Sequence, residues 1–270
     1  MIAALRRHLG IYGAIAAVVP KEYLAYNLWF WAEFVVQILA MIIYVYFWRA
    51  VYSGVDRLGG LTLDQTLNYI LLARILAPAI ESRLIFHFGF LIGQGQVAVE
   101  LTRPLDLQAR YYVQELTGLG VFLLLKLPLL AIAIVFFGLR LPADPAVWLA
   151  FLASLALGHA ALFCFDWMFA CLAFYTTETW GLSMVRVGVA QFFSGALVPL
   201  AMLPGWLQQA AAALPFAQAM AVPLGLLSGV TPVSQAPGFW LVQLAWLAGL
   251  GLAARLVFAV AVRKVTVQGG

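Results

Sequence analysis

The sequence predicts an all-α protein that crosses a membrane several times, and three observations lead to this prediction. The chain is 65% hydrophobic and only 10% charged, whereas soluble domains carry about 25% charged residues. Residues 187–254 form a run of 68 without Asp, Glu, Lys or Arg, although one membrane-spanning helix needs only about 20 apolar residues. Half of the 12 prolines fall in this run. We therefore expect it to contain a span, a proline-broken excursion near the bilayer, and a second span.

Six segments are apolar enough to be membrane-spanning helices, and they cover residues 28–48, 67–80, 113–137, 147–174, 185–202 and 239–262. The second segment is the weakest because it is short and contains Arg74 and Pro78. No internal repeat or low-complexity linker separates the segments. The sequence therefore predicts one transmembrane domain over residues 1–270.

The N-terminal segment, residues 1–27, predicts an amphipathic helix that lies along the membrane surface. Arg6 and Arg7 share this segment with apolar residues, and two glycines and Pro20 interrupt it before it reaches the length of a span. Helices of this kind place their apolar side among the lipid headgroups. We therefore expect this part of the chain to contact membrane lipids.

The positions of lysine and arginine predict that both termini face the cytoplasm. Cytoplasmic connections carry an excess of these residues. With both ends inside, nine fall in inner segments and three in outer segments. The inner ones are Arg6, Arg7, Lys21, Arg83, Arg103, Arg110, Arg186, Arg263 and Lys264, and the outer ones are Arg49, Arg57 and Arg140.

The uncharged outer segment, residues 204–237, predicts a helical hairpin that re-enters the membrane. A helix-like run follows Pro204, is broken at Pro215, and resumes until Gly229. Two short helices would satisfy their own backbone hydrogen bonds and remain apolar in the outer leaflet. The alternative is a loop packed against the other spans.

The inner connection, residues 84–108, predicts a short helix parallel to the membrane. Gly93 and Gly95 would bend the preceding helix, residues 97–101 would form the short helix, and Pro104 would turn the chain away from it. Charges at Glu100 and Arg103 suit the docking of a cytoplasmic partner. An ordinary solvated loop is the alternative interpretation.

Several motifs together resemble the ABC-2 type transporter permeases. Residues 95–105, which end in LTRPL, are similar to the first cytoplasmic connection of that family. Three further motifs resemble the fifth span and outer hairpin of the family. They are SGALVPL at 194–200, LPGWL at 203–207 and LPF at 214–216, and the match continues at Pro223 and Gly229. Residues 175–181 are similar to the turn before that span. The resemblance covers most of the chain in order.

This resemblance implies the membrane subunit of an ABC exporter in a bacterial cytoplasmic (inner) membrane. Such a subunit pairs with itself or with a similar permease, and with two ATP-binding subunits that carry the ATP and Mg²⁺. The sequence is consistent, since it has no Walker A pattern, and we expect no metal site, cofactor, enzymatic activity or nucleic-acid partner for this chain. The implied coupling residues are Gly95, Val97, Glu100, Leu101, Arg103 and Pro104. The implied outer gate and hairpin residues are Gly195, Pro199, Pro204, Trp206, Pro215 and Phe216.

Ionisable residues inside predicted spans form a further set of candidates, because their burial in a membrane is costly and they usually have partners. These residues are Glu33, Arg74, Lys126, Asp166 and Arg255. A structural ion pair, such as Asp166 with Arg74 or Lys126, is the first hypothesis, and a role in substrate passage is the second. The third alternative is that the edges of the predicted spans are misplaced.

Two other function classes have less support. A secondary transporter should show repeated halves with broken spans at matching positions, and none is visible. An integral membrane transferase should show His, Asp or Glu clustered at one membrane face, but His87 and His159 lie on separate segments.

The apolar interior favours a hydrophobic or amphipathic cargo.

Overall fold

Helices make up nearly the whole structure, as the composition predicts. The computed structural model describes the backbone of residues 2–24, 27–82, 84–176 and 178–264, and the side chains of residues 10–21 and of those from 31 onward within these ranges. The α-helices in these ranges are α1 Ile2–Leu24, α2 Asn27–Val51, α3 Leu63–Leu76, α4 Leu84–Gly93, α5 Val97–Thr102, α6 Leu107–Leu125, α7 Leu127–Phe137, α8 Pro145–Ala170, α9 Thr179–Phe193, α10 Gly205–Ala212, α11 Pro215–Ala219, α12 Ala221–Ser228 and α13 Ala236–Ala261.

Helix α1 packs against α6 along one face. The partly or fully buried residues of this face recur at helical spacing, at Ile11, Ile15 and Val19, while Val18 and Lys21 are exposed. Burial therefore identifies the side of α1 that faces α6, and the location of this helix along the membrane surface stays a prediction. Part of the predicted segment lies outside the described residues. This part includes residues 1 and 25–26 and the side chains of residues 2–9, to which both N-terminal arginines belong.

Five described helical stretches are long and apolar enough to cross a membrane. They are Trp31–Gly54, Leu63–Gly93, Leu107–Phe137, Pro145–Phe174 and Val233–Lys264. A sixth crossing is available only if α10 and the stretch Pro215–Ser228, which meet at a bend of 71°, count as one broken span. The polytopic all-α prediction is confirmed.

The second span is longer than the predicted 67–80. Its first helix, α3, begins at a capping box in which the Thr62 amide donates to Gln65 Oε1 at 3.0 Å and the Gln65 amide donates to Thr62 Oγ1 at 3.4 Å. Pro78 lies in a 3-10 turn, Ala77–Ile80, and α4 then continues the apolar stretch to Gly93. Pro78 lacks an amide hydrogen, so the span proceeds as two helices joined by a break.

The predicted fifth span, 185–202, differs more strongly from the structure. Helix α9 starts at Thr179 and ends at Phe193, so it is 15 residues long and shifted toward the N-terminus. Gly195 has φ of +79°, a backbone conformation that favours glycine and ends helices. Hydropathy could not locate the true start, because Thr179 and Ser183 are polar yet buried.

Helix α8 is the centre of the structure. It packs against α4, α11, α12 and α13. Its small residues Ala150, Ser154, Gly158 and Ala161 are buried and allow the neighbouring helices to approach closely. Further along the same helix, Trp167 is completely buried among aromatic side chains.

Candidate functional site: an exposed connecting helix and buried charge pairs

A tight turn connects α4 to α5 and holds the short helix in place. Gly95 has φ of +68°, and the Gln96 amide donates to the Leu91 carbonyl at 2.8 Å. Val97 begins α5 and is only 3% exposed, packed in a cluster with Phe88 and Trp167. The short helix predicted at 97–101 is therefore present, anchored beneath the end of α4.

The outer surface of α5 and its flanking turns is open to solvent. We call this surface the α5 ledge, and its exposed residues are Gln94, Gly95, Gln96, Val99, Thr102, Arg103 and Pro104. Three of the predicted coupling residues belong to it. Val97 faces the core, and Leu101 and Glu100 are partly buried. The ledge combines an exposed valine with polar groups and a cation.

The carboxylate of Glu100 is bound within the chain. Its Oε2 forms an ion pair with the guanidinium of Arg110 in α6, and its Oε1 lies 3.3 Å from Arg103 Nη2. The Arg110 side chain is only 8% exposed, whereas that of Arg103 is 51% exposed. Sequence reasoning treated Arg110 only as a topology signal, because nothing in the sequence alone shows which carboxylate it meets.

A second ion pair joins the start of α6 to α13. Asp106 caps α6 by accepting from the Ala109 amide at 2.6 Å, and its other oxygen binds Arg255. Partial burial opposes ionisation of this carboxyl group, but the hydrogen bonds from Arg255 and from Ala109 outweigh it and lower the pKa of Asp106. Arg255, predicted as an intramembrane charge, is thus paired, and both side chains are largely exposed.

The most deeply buried ion pair joins Asp166 of α8 to Arg186 of α9. Arg186 Nε donates to Asp166 Oδ1 at 2.6 Å and Nη2 donates to Oδ2 at 2.5 Å. Its Nη1 donates to the Ile80 carbonyl, at the break in the second span. The guanidinium carbon also lies 6.0 Å from the centre of the Phe216 ring in α11. This one arginine of α9 therefore contacts three other elements.

The predicted pairing of Asp166 with Arg74 or Lys126 is wrong. Lys126 Nζ instead lies 3.2 Å from Glu33 Oε1, and Arg74 lies over the Tyr44 ring at 5.3 Å. Arg186 is the second residue of the predicted fifth span and was counted with the inner connections as a topology signal. Helix α9 begins seven residues before it, so Arg186 lies inside a helix and is buried.

Glu115 is a residue that the sequence analysis did not single out. It lies in α6, within electrostatic range of both Asp166 and Arg186. The sequence feature that could have identified Glu115 is its position, two residues inside the predicted span 113–137. The structure therefore places two carboxyl groups and one guanidinium in the same part of the helix bundle.

The two limbs of the outer hairpin have different environments. The first limb, α10, follows Pro204 and leaves Trp206 73% exposed. The second limb, α11 and α12, begins with buried Pro215 and Phe216 and packs on α8 and α3. The hairpin is thus present as a bent helical pair. Its second limb is helical and packs in the bundle, and re-entry of the pair into the membrane stays a prediction.

Hydrogen bonds connect the buried limb to the centre of the bundle. Gln243 Nε2 of α13 donates to the Ser154 carbonyl of α8 at 3.0 Å and to the Gln218 carbonyl of α11 at 2.8 Å. Gln218 Nε2 in turn donates to the Ala212 carbonyl of α10 at 3.2 Å. Two candidate gate residues precede the hairpin. A Cβ atom at Gly195 would lie 2.8 Å from the Tyr69 hydroxyl oxygen, and Pro199 precedes a 3-10 turn.

The fold and these contacts define a polytopic α-helical membrane protein with an exposed helix between two spans and a packed helical hairpin. Residues 38–269 match a family model described as ABC-2 family transporter protein. Because this match covers most of the sequence, the chain belongs to the ABC-2 transporter family. No curated protein matches the chain.

Proposed function

We propose that this chain is the permease subunit of an ATP-binding cassette transporter that exports hydrophobic or amphipathic cargo. Family membership carries the transporter class. The observation that supports coupling to a separate ATPase is the α5 ledge, an exposed surface on a helix that is anchored between two spans by Val97.

In the proposed assembly, two permeases and two ATP-binding subunits form the transporter, and ATP and Mg²⁺ bind to the ATP-binding subunits. Each α5 ledge rests on one ATP-binding subunit. When the ATP-binding subunits close around ATP, they displace α5, and α5 displaces α4 and α6, between which it is held. The two permeases then alternate between inward-facing and outward-facing states.

The orientation and the cargo follow from the sequence. The excess of lysine and arginine in one set of connections supports a bacterial cytoplasmic membrane location with both termini and α5 inside. The span-forming helices are apolar over most of their length, which supports cargo with a large apolar part. Failure to export any amphiphile in a tested series, together with movement of a polar solute, would contradict this cargo class.

The direct test of the assembly is purification of the tagged chain from its native membranes in mild detergent. We expect a stoichiometric partner that binds and hydrolyses ATP. Absence of such a partner, under conditions in which a known ABC complex remains intact, would reject the proposal. A second permease of similar sequence in the same sample would show that the pore is heteromeric.

Charge and polarity changes on the α5 ledge should weaken binding of the ATPase. For Val99→Asp combined with Arg103→Glu, we expect at least a tenfold loss of co-purifying ATPase, because central interface residues often contribute about 2 kcal/mol or more each. Arg140→Glu, at an exposed position in the outer loop, is the matched control. Equal amounts of ATPase with both variants would place the docking surface elsewhere.

A further inference from the structure

We propose that Arg110 is the positioning residue that transmits movement of α5 into the helix bundle, through its ion pair with Glu100. This inference rests on the proposed function, and it assigns to Arg110 a role beyond the docking of the ATPase. In this arrangement Glu100 contributes mainly through its contact inside the chain, and the ATPase contacts the exposed part of the ledge.

The first argument is the burial of the Glu100–Arg110 pair. Arg110 is nearly enclosed, its Nε has no hydrogen-bond partner among the described residues, and Glu100 is the carboxylate that it contacts. A buried cation that loses its carboxylate is costly. Glu100 therefore cannot move away from Arg110 freely, and displacement of α5 must displace the start of α6.

The second argument is what Arg110 packs against. Its guanidinium carbon lies 5.0 Å from the centre of the Tyr111 ring, and the Tyr111 hydroxyl is hydrogen-bonded to His87 Nε2 at 3.0 Å. The Tyr111 ring also contacts Phe88 of α4 and Trp167 of α8. The pair thus adjoins an aromatic cluster shared by three helices, which is rigid because interiors are closely packed.

The third argument is the ion pair four residues before Arg110. Asp106 caps α6 and binds Arg255 of α13. This half-exposed pair is weak by itself, but it joins the start of α6 to α13, the helix that packs along α8. Arg103, by contrast, pairs with Glu100 only three residues away, so this contact joins α5 to no other helix.

The test is a charge swap in the purified complex of permease and ATPase. The readout is hydrogen exchange of the outer hairpin, residues 205–228, measured by mass spectrometry with and without ATP, Mg²⁺ and vanadate. The variants are Glu100→Lys, Arg110→Glu and the double swap, with Arg140→Gln as the control. Co-purification of the ATPase and exchange of α8 without nucleotide are measured in parallel.

We expect each single variant to lose at least four-fifths of the ATP-dependent change in hairpin exchange while the ATPase still co-purifies. The double swap should restore at least half of the ATP-dependent change in hairpin exchange, because the reversed pair again joins α5 to α6. A normal response in the Arg110→Glu variant would overturn the inference. So would a double swap that restores α8 protection and ATPase binding but leaves the hairpin unresponsive to ATP.

The control measurements separate this inference from the proposed function. If no ATPase co-purifies with the unmodified chain, or if its hairpin does not respond to ATP, the proposed function itself fails and this inference fails with it. If the unmodified chain and the Arg140→Gln variant respond but the swap does not restore the response, only the role of Arg110 is rejected.

Discussion

Replacement of Arg186 by methionine is expected to destabilise the protein by about 3–5 kcal/mol, the range observed when one partner of a buried ion pair is removed. The change removes the two hydrogen bonds that Arg186 donates to the Asp166 carboxylate and the one that it donates to the Ile80 carbonyl. The site is buried, since the side chains of Asp166 and Arg186 are 7% and 3% exposed. Thermal unfolding of the detergent-solubilised chain should show a large fall in midpoint temperature.

The matched comparison is the double variant Asp166→Leu with Arg186→Met. It removes both charges together, so we expect it to be less damaging than the single change. Arg140→Gln, an exposed position between α7 and α8, should leave the midpoint unchanged. Two results would show that the pair does not stabilise the packing of α8, α9 and the second span. One is a loss of less than about 1 kcal/mol in Arg186→Met, and the other is a double variant that is less stable than the single one.

Replacement of Gly158 by alanine is expected to displace the buried limb of the hairpin. A Cβ atom at this position would lie 2.3 Å from the Gln218 carbonyl oxygen and 2.7 Å from Ala219 Cα. Both are backbone atoms, so no side-chain rotation can relieve the overlap, and α11 must separate from α8. Overpacking of this kind costs about 1–3 kcal/mol. The separation should also increase hydrogen exchange in residues 215–228.

Gly188 provides a control for the glycine-to-alanine change itself. It lies within helix α9, and a Cβ atom there would meet nothing within 4 Å. Gly188→Ala should therefore be neutral or stabilising by up to about 1 kcal/mol, since alanine favours helix. If the two alanine variants behave alike, close contact between α8 and the hairpin does not position the buried limb.

The two large predictions depend on features that the sequence reveals to different extents. The break at Pro78, the short α5 helix after Gly95 and the bent pair around Pro215 could each be predicted, because proline and glycine act on the backbone at their own positions. Gly158 could not be selected from the sequence, since its importance depends on the proximity of α11, which lies some 60 residues further along the chain.

The sequence by itself determined the class of the protein. A chain that is mostly apolar, with a 68-residue uncharged run, has few ways to satisfy its backbone groups except as helices in a membrane. The same local signals located α5 and the exposed Arg103 that follows it. These features depend on composition and on neighbours within a few residues.

Only the tertiary structure decided which charged groups meet. Asp166 pairs with Arg186, Glu100 with Arg110, and Lys126 with Glu33. The sequence presents many opposite charges, and the partner of each depends on the position, rotation and start of every helix. Arg186 is the second residue of the predicted fifth span and was counted as a topology signal of the inner connections. Helix α9 begins six residues earlier than that span, and helix position along its axis sets which side chains reach one another.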